Sequence, residues 1–164
     1  MQINIDKIHA FVFDFDGVIT NNKVYVDQYG IESVRCSRAD GLAFDVLRKL
    51  NKRCFILSTE KNPVVNMRAK KIKIPAIQGV INKSKAVKEL SSIHSFYLKN
   101  TLYVGNDIND YHVMKICGYS ICPADSHPRI KEIADITLKT NGGEGVIRCL
   151  LENVLSLNFI KILY

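Results

Sequence analysis

At 164 residues, 47% hydrophobic and 24% charged, the chain has room for one globular domain with a full core and not for two. Its net charge of +7, from 23 Lys and Arg against 16 Asp and Glu, could favour nucleic acid, an anionic surface or a small anionic substrate, while no basic run is long enough for a nucleic-acid arm. No apolar run approaches a membrane span and Met1 to Lys7 is polar, so a cytoplasmic protein with neither membrane nor nucleic acid as partner is expected.

The run Ala10 to Phe13 predicts a short buried strand, broken by Gly17. Lys23 to Gln28 and Ile31 to Cys36 alternate across Tyr29-Gly30 and predict a β-hairpin. Leu42, Phe44, Val46, Leu47 and Leu50 recur at helical spacing after Asp40-Gly41. A second strand is expected over Arg53 to Leu57, ending in Ser58-Thr59. A helix opens at Asn62-Pro63, carries Val64, Val65, Met67 and Ala69, and runs towards Lys73. The cations Lys70, Lys71 and Lys73 form the densest basic group, interrupted by Ile72 and Ile74 as on a solvated helix face. Then come a short strand within Ile74 to Val80, a helix over Ser84 to Ile93 and a strand over Thr101 to Val104. A helix near Asp110 to Ile116 and a strand over Tyr119 to Cys122 follow. A short helix near Pro128 to Ile133, a small strand at Ile136-Thr137 and a last helix from Gly142-Gly143-Glu144-Gly145 to about Leu155 complete the chain. The five cysteines form no CxxC pair; Cys54 and Cys122, within apolar runs, are expected as reduced, buried thiols. No pair among His9, His94, His112 and His127 has metal-ligand spacing.

Strands alternating with helices predict an α/β, Rossmann-like fold: a mostly parallel sheet with helices on both faces, a hairpin flap, and one domain over 1–164. Ligands of such sheets bind beyond the carboxyl ends of the strands. Those ends carry Asp14 and Asp16, Ser58, the Lys83 region and Asp107. Residues i and i+2 of an extended strand project to one side, so Asp14 and Asp16 point the same way. Two carboxylates that close call for a shared proton or a cation, and Mg²⁺ prefers carboxylate oxygens. A carboxylate nucleophile, a second acid, a hydroxyl, a lysine and a distal carboxylate together form a phosphoryl-transfer set.

In order and placement, Asp14-Phe15-Asp16-Gly17-Val18, Ser58, Lys83 and Gly105-Asn106-Asp107-Ile108-Asn109-Asp110 resemble the four motifs of the haloacid dehalogenase superfamily. The resemblance implies Asp14 as nucleophile, Asp16 as general acid and base, Ser58 bonding the transferring phosphoryl group, and Lys83, rather than Lys85, neutralising it. It implies Mg²⁺ on the side chains of Asp14 and Asp107 and the main-chain carbonyl of Asp16, with Asp110 behind them. Asn106 stands where many relatives carry another Asp. Neither the stretch from Thr20 to Ser58 nor that from Ser58 to Lys83 can hold a cap domain, which takes on the order of 50 residues or more.

That compact layout, from Ile8 to about Leu155, is similar to the branch of 3-deoxy-manno-octulosonate 8-phosphate and nonulosonate 9-phosphate phosphatases. It is also similar to the C-terminal domain of some acylneuraminate cytidylyltransferases. The branch implies a homotetramer in which a neighbouring subunit helps to close each site, through the hairpin and the Gly142–Gly145 segment. Glu60, Arg68 and Lys71 match the substrate-reading positions of the nonulosonate enzymes. Arg68 and Lys71, three apart on one helix face, could hold a sugar-acid carboxylate. A solvated helix face is the competing reading of that pair. The expected function is a Mg²⁺-dependent phosphatase of a small phosphorylated sugar acid of the nonulosonate 9-phosphate type. The alternatives are an octulosonate 8-phosphate phosphatase and a non-catalytic oligomerisation domain.

Overall fold

The computed structural model describes residues 3–164. Six parallel strands form one sheet: β1 (Ala10–Phe13), β4 (Arg53–Leu57), β5 (Ala76–Ile77), β6 (Thr101–Val104), β7 (Tyr119–Cys122) and β8 (Ile136–Thr137). Their spatial order is β5-β4-β1-β6-β7-β8. The chain leaves β1 towards β4 and β5, then returns to its other side at β6. Such a reversal opens a crevice at the carboxyl end of the first strand. In register, Phe13 sits between Ile56 and Val104, so the segments after β1, β4 and β6 emerge side by side.

The strands are apolar on both sides because both faces are covered. From β1, Phe11 and Phe13 enter a core with α1 (Ala39–Lys49), α2 (Val64–Ile72) and α6 (Val146–Cys149), supplied by Phe44, Leu47, Val65, Ile72 and Ile147. Phe13 meets Phe44 edge-on at 5.3 Å. Ala10 and Val12 enter the opposite core with α3 (Lys83–Ile93), α4 (Tyr111–Met114) and α5 (Pro128–Ile133), through Val87, Leu90, Val113, Met114 and Ile130. Between β1 and α1 the hairpin β2 (Thr20–Val26) and β3 (Glu32–Cys36) forms a separate antiparallel pair. It exposes Val24, Tyr25, Val26, Ile31 and Tyr29, the last 79% accessible.

The expected α/β architecture is observed, with three local differences. The strand within Ile74 to Val80 shrinks to Ala76–Ile77, since Pro75 has no N–H to donate and Gly79 turns the chain at φ +68°. The last helix is only four residues of α6 before a π-helical turn over Leu150–Val154. An unforeseen helix, α7 (Phe159–Leu163), follows, its Asn158 side chain accepting from Lys161 N at 3.0 Å. All five cysteines are free thiols, with Cys54 and Cys122 buried; burial pushes Cys54 up to about 12. Among the described residues, no helix is long and apolar enough to cross a membrane.

Candidate active site

Asp14 follows β1 directly and is 4% exposed, with its N–H donating to Val104 O at 2.9 Å. Its Oδ1 accepts from Phe15 N at 2.7 Å and from Lys83 Nζ at 2.8 Å. Both bonds fall on Oδ1, which leaves Oδ2 free to react. Lys83 opens α3, where Asn82 caps the helix by accepting from Lys85 N at 2.9 Å. That cap sets the register, so Lys83 is buried beside Asp14 while Lys85 is exposed and faces Glu89. The expected choice of Lys83 over Lys85 is therefore what the geometry allows.

Lys83 Nζ also bonds Asp110 Oδ1 at 2.7 Å. Asp110 is fully buried and collects the Tyr103 hydroxyl on the same oxygen at 2.7 Å; its Oδ2 accepts from Asn106 N at 2.9 Å. Two carboxylates thus flank one ammonium, leaving the trio one negative charge in excess in a nearly dry place. Burial, with the Asp110 charge adding to it, holds the Asp14 carboxyl well above the usual carboxylate range against the pull of Lys83. Lys83 itself is held above its ordinary value by Asp14 and Asp110, which outweigh its own burial. Tyr103 is missed in the sequence because an aromatic in a strand reads as core, which it also is.

Asp16 is half-buried on the turn after β1. Thr20 Oγ1 donates to its Oδ1 at 3.3 Å and accepts from Gly17 N at 3.3 Å, so one hydroxyl braces both ends of the turn. Burial raises the Asp16 carboxyl, the Thr20 bond and Lys83 oppose this, and the Glu60 and Glu32 charges add to it. The Glu60 charge thus reaches Asp16, and so does that of Glu32 on the hairpin, which was not foreseen. Glu60 Oε1 also accepts from Lys61 N and Asn62 N, at 2.6 and 2.8 Å, ahead of α2. Ser58 ends β4, is 1% exposed, and its hydroxyl accepts from Glu60 N at 3.1 Å.

Among the described residues no three acid, histidine or cysteine side chains converge, whereas the expected metal set takes only two carboxylates, Asp14 and Asp107, with the Asp16 main-chain carbonyl. The turn after β6 decides which side chain faces the Asp16-Gly17 turn. Asp107 caps the 3-10 turn Ile108–Asp110, where its Oδ1 accepts from Ile108 N at 2.7 Å. Asn106, one residue earlier, goes inward. It packs over Gly17 so closely that a Cβ there would lie 1.8 Å from its Nδ2, and Gly17 turns at φ +77°. Asn106 is 6% exposed and its buried Oδ1 has no hydrogen-bond partner. An orphaned amide oxygen beside the Asp16-Gly17 turn, next to a trio short of positive charge, fits a hard dication.

Arg68 and Lys71 share one groove, as their spacing implies, but it lies between α1 and α2 and none of Asp14, Asp16, Ser58 or Lys83 lines it. Arg38, Arg48 and Lys73 line the same groove of about 450 Å³. Arg68 Nη2 donates to Ser37 O at 2.8 Å, and Arg48 Nη2 reaches back to Ile72 O at 3.0 Å, so each helix braces the other.

The profile of the haloacid dehalogenase-like hydrolases matches residues 47–150. The chain is 27% identical over 157 residues to the 3-deoxy-D-manno-octulosonate 8-phosphate phosphatase of Haemophilus influenzae, covering 94% of this chain and 87% of that one. Its fold superposes on a HAD family hydrolase from Streptomyces avermitilis with TM-score 0.93 and 36% identity, over 97% of this chain and 91% of the other. The cobalt-bound deoxy-D-mannose-octulosonate 8-phosphate phosphatase of Haemophilus influenzae aligns with TM-score 0.87 and 26% identity, over 93% and 90%. The chain belongs to the haloacid dehalogenase-like hydrolases and, within them, to the phosphoric monoester hydrolases.

Proposed function

We propose that the chain is a divalent-metal-dependent phosphatase of a phosphorylated sugar acid and works through an aspartyl-phosphate on Asp14. The observation that carries this is the buried Asp14–Lys83–Asp110 trio, which presents Asp14 Oδ2 at the end of β1 with Ser58 on the neighbouring strand. Asp14 Oδ2 attacks phosphorus, and the P–O bond to the sugar breaks. Asp16, held above its ordinary range and therefore able to keep a proton, gives it to the departing alkoxide. As a carboxylate it then takes a proton from water, whose oxygen attacks the phosphoryl group and frees Asp14. Lys83 and the Ser58 hydroxyl hold the transferring oxygens. Asp14, the Asp16 main-chain carbonyl and Asn106 Oδ1 would hold the dication, which neutralises phosphate charge when bound. Mg²⁺ is the metal proposed, and Asp107 gives up its expected place to Asn106.

For the substrate we place the nonulosonate 9-phosphate type first, because Glu60, whose N–H donates to Ser58 Oγ and whose charge reaches Asp16, can accept from hydroxyl or amino groups of a sugar acid. The octulosonate 8-phosphate reading is favoured by the relatives named above. Arg68 and Lys71, which line one groove, would grip the substrate carboxylate in their own site or in that of a neighbouring subunit. The exposed apolar hairpin supports the homotetramer that the second arrangement needs. Phosphate release with and without Mg²⁺ across nonulosonate 9-phosphates, octulosonate 8-phosphate and hexose phosphates is the test. Mg²⁺-dependent preference for one sugar acid supports the reading and chooses the branch. Equal turnover of hexose phosphates removes the sugar-acid assignment, and no turnover removes catalysis.

A further inference from the structure

Asp40 opens α1, is 1% exposed, and makes its bond to a segment 108 residues away, where its Oδ1 accepts from Arg148 N at 3.0 Å. The helix it reaches, α6, starts at Gly145, which has no side chain to cap it and turns at φ +95°. Asp40 thus supplies from another element the acceptor that this helix end lacks.

What α6 anchors lies against the acid turn. Gly142 and Gly143 approach it so tightly that a Cβ on Gly142 would fall 2.3 Å from Gly17 O, and one on Gly143 would fall 2.5 Å from Asn21 N. Gly143 N donates to Val18 O at 3.1 Å, and Gly142 N donates to Asp125 Oδ1 at 2.8 Å. The Arg35–Glu144 ion pair ties the same segment to β3, but it is exposed and holds little by itself. One line of contacts therefore runs from Asp40 through the start of α6 and the two glycines to Gly17 and Val18, which flank the turn of Asp16.

We propose that Asp40 is a positioning residue for the reaction: by capping α6 from α1 it seats Gly142–Gly145 on the Asp16–Gly17 turn and so fixes where Asp16 delivers its proton. The proposal rests on Asp16 being the general acid and base. Asp40 touches no reacting atom. A cap that only stabilised the fold would leave turnover per folded molecule unchanged, whereas a displaced acid loses rate with little loss of binding.

The test compares Asp40→Ala, Asp40→Asn and Gly142→Ala with wild type, using p-nitrophenyl phosphate and Mg²⁺, with circular dichroism to count folded protein. Asp40→Ala is expected to lower kcat by about tenfold to a hundredfold with KM nearly unchanged. Asp40→Asn keeps the acceptor oxygen and is expected to restore most of kcat. Gly142→Ala, which wedges the segment off Gly17 O, is expected to reproduce the same split. A folded Asp40→Ala enzyme with wild-type kcat overturns the proposal, as does an Asp40→Asn loss equal to that of Asp40→Ala. Should Asp40→Ala not fold, wild-type kcat in Gly142→Ala overturns it instead. An inactive wild type sinks the phosphatase reading first, and Asp16→Asn with full activity sinks the acid assignment; both are visible before any Asp40 variant is read.

Discussion

Replacing Lys83 by methionine keeps most of the side-chain volume and removes the cation that bonds both Asp14 and Asp110. The side chains of Lys83, Asp14 and Asp110 are 1%, 5% and 0% exposed, so water cannot take its place. Removing one member of a buried ion pair costs about 3–5 kcal/mol, because the remaining charges stay behind unpaired. For a chain of this size that is about 10 °C in Tm. The loss has a pH signature. Asp14 is already held above its ordinary value of 3.8 by burial and by Asp110, and Lys83 is what pulls it down. Without Lys83 the native state binds a proton over a wider range than the unfolded chain does, so unfolding free energy falls as pH rises. Lys83→Met is therefore expected to be closest to wild type near pH 5 and furthest from it near pH 8. Adding Asp110→Asn removes the second charge and should recover much of the stability at pH 8 without recovering activity. The assay is urea unfolding followed by circular dichroism, in chelator, across that range. A loss below about 1 kcal/mol at pH 8, far under the buried-pair cost, or a loss that does not change with pH, would refute the account.

Three further outcomes follow from the same geometry. Saturating Mg²⁺ should raise the melting temperature, by about 2.7 kcal/mol of stability at a hundredfold excess over Kd, and Asn106→Leu should abolish that shift while Asp107→Asn should not. The reverse pattern in a thermal-shift titration would return the third ligand to Asp107. Glu60→Gln and Glu32→Gln each remove a negative charge that raises Asp16, so its carboxyl ionises more readily and the alkaline limb of kcat should move to lower pH; an unmoved limb in both means that another group sets it. Burial pushes Asp40 up to about 6 from 3.8, so wild-type stability should fall by ~3 kcal/mol on this account as pH rises from about 4 to 6. Asp40→Asn should flatten that slope, and parallel pH–stability curves for the two proteins would rule it out.

The elements that position the site were legible because each rests on local pattern. Apolar runs mark β1, β4 and β6, and the acids, the hydroxyl and the Gly105 turn sit directly after them. Lys83 was legible for a related reason: Asn82 is a local cap, so a few residues define the register that buries Lys83 and exposes Lys85. Arg68 and Lys71 do share a face, as three-residue spacing requires, but which neighbour that face meets is decided by α1, which supplies the other wall of their groove through Gly41, Asp45 and Arg48. The helix α7 was missed because Phe159-Ile160-Lys161-Ile162-Leu163 has no helical period to show in five residues.

The exchange of Asp107 for Asn106 shows where pattern stops being informative. Past Gly105 the chain is neither strand nor helix, so alternation does not say which of two adjacent residues faces inward. Charge alone favours Asp107. The backbone decides otherwise, because Asp110 takes the N–H groups of Asn106 and Asp107 on one oxygen, at 2.9 and 3.4 Å. That closes the turn, spends Asp107 on capping it, and directs the Asn106 amide over Gly17. The same carboxylate holds Lys83 against Asp14. Asp110 therefore does two things at once: it orients the cation that faces Asp14, and it selects the neighbour that packs over Gly17. With a neutral amide at the proposed metal site, the negative excess of the trio is left for a dication to balance, so metal binding is expected to depend more on Asp14 in this chain than it would with a third carboxylate.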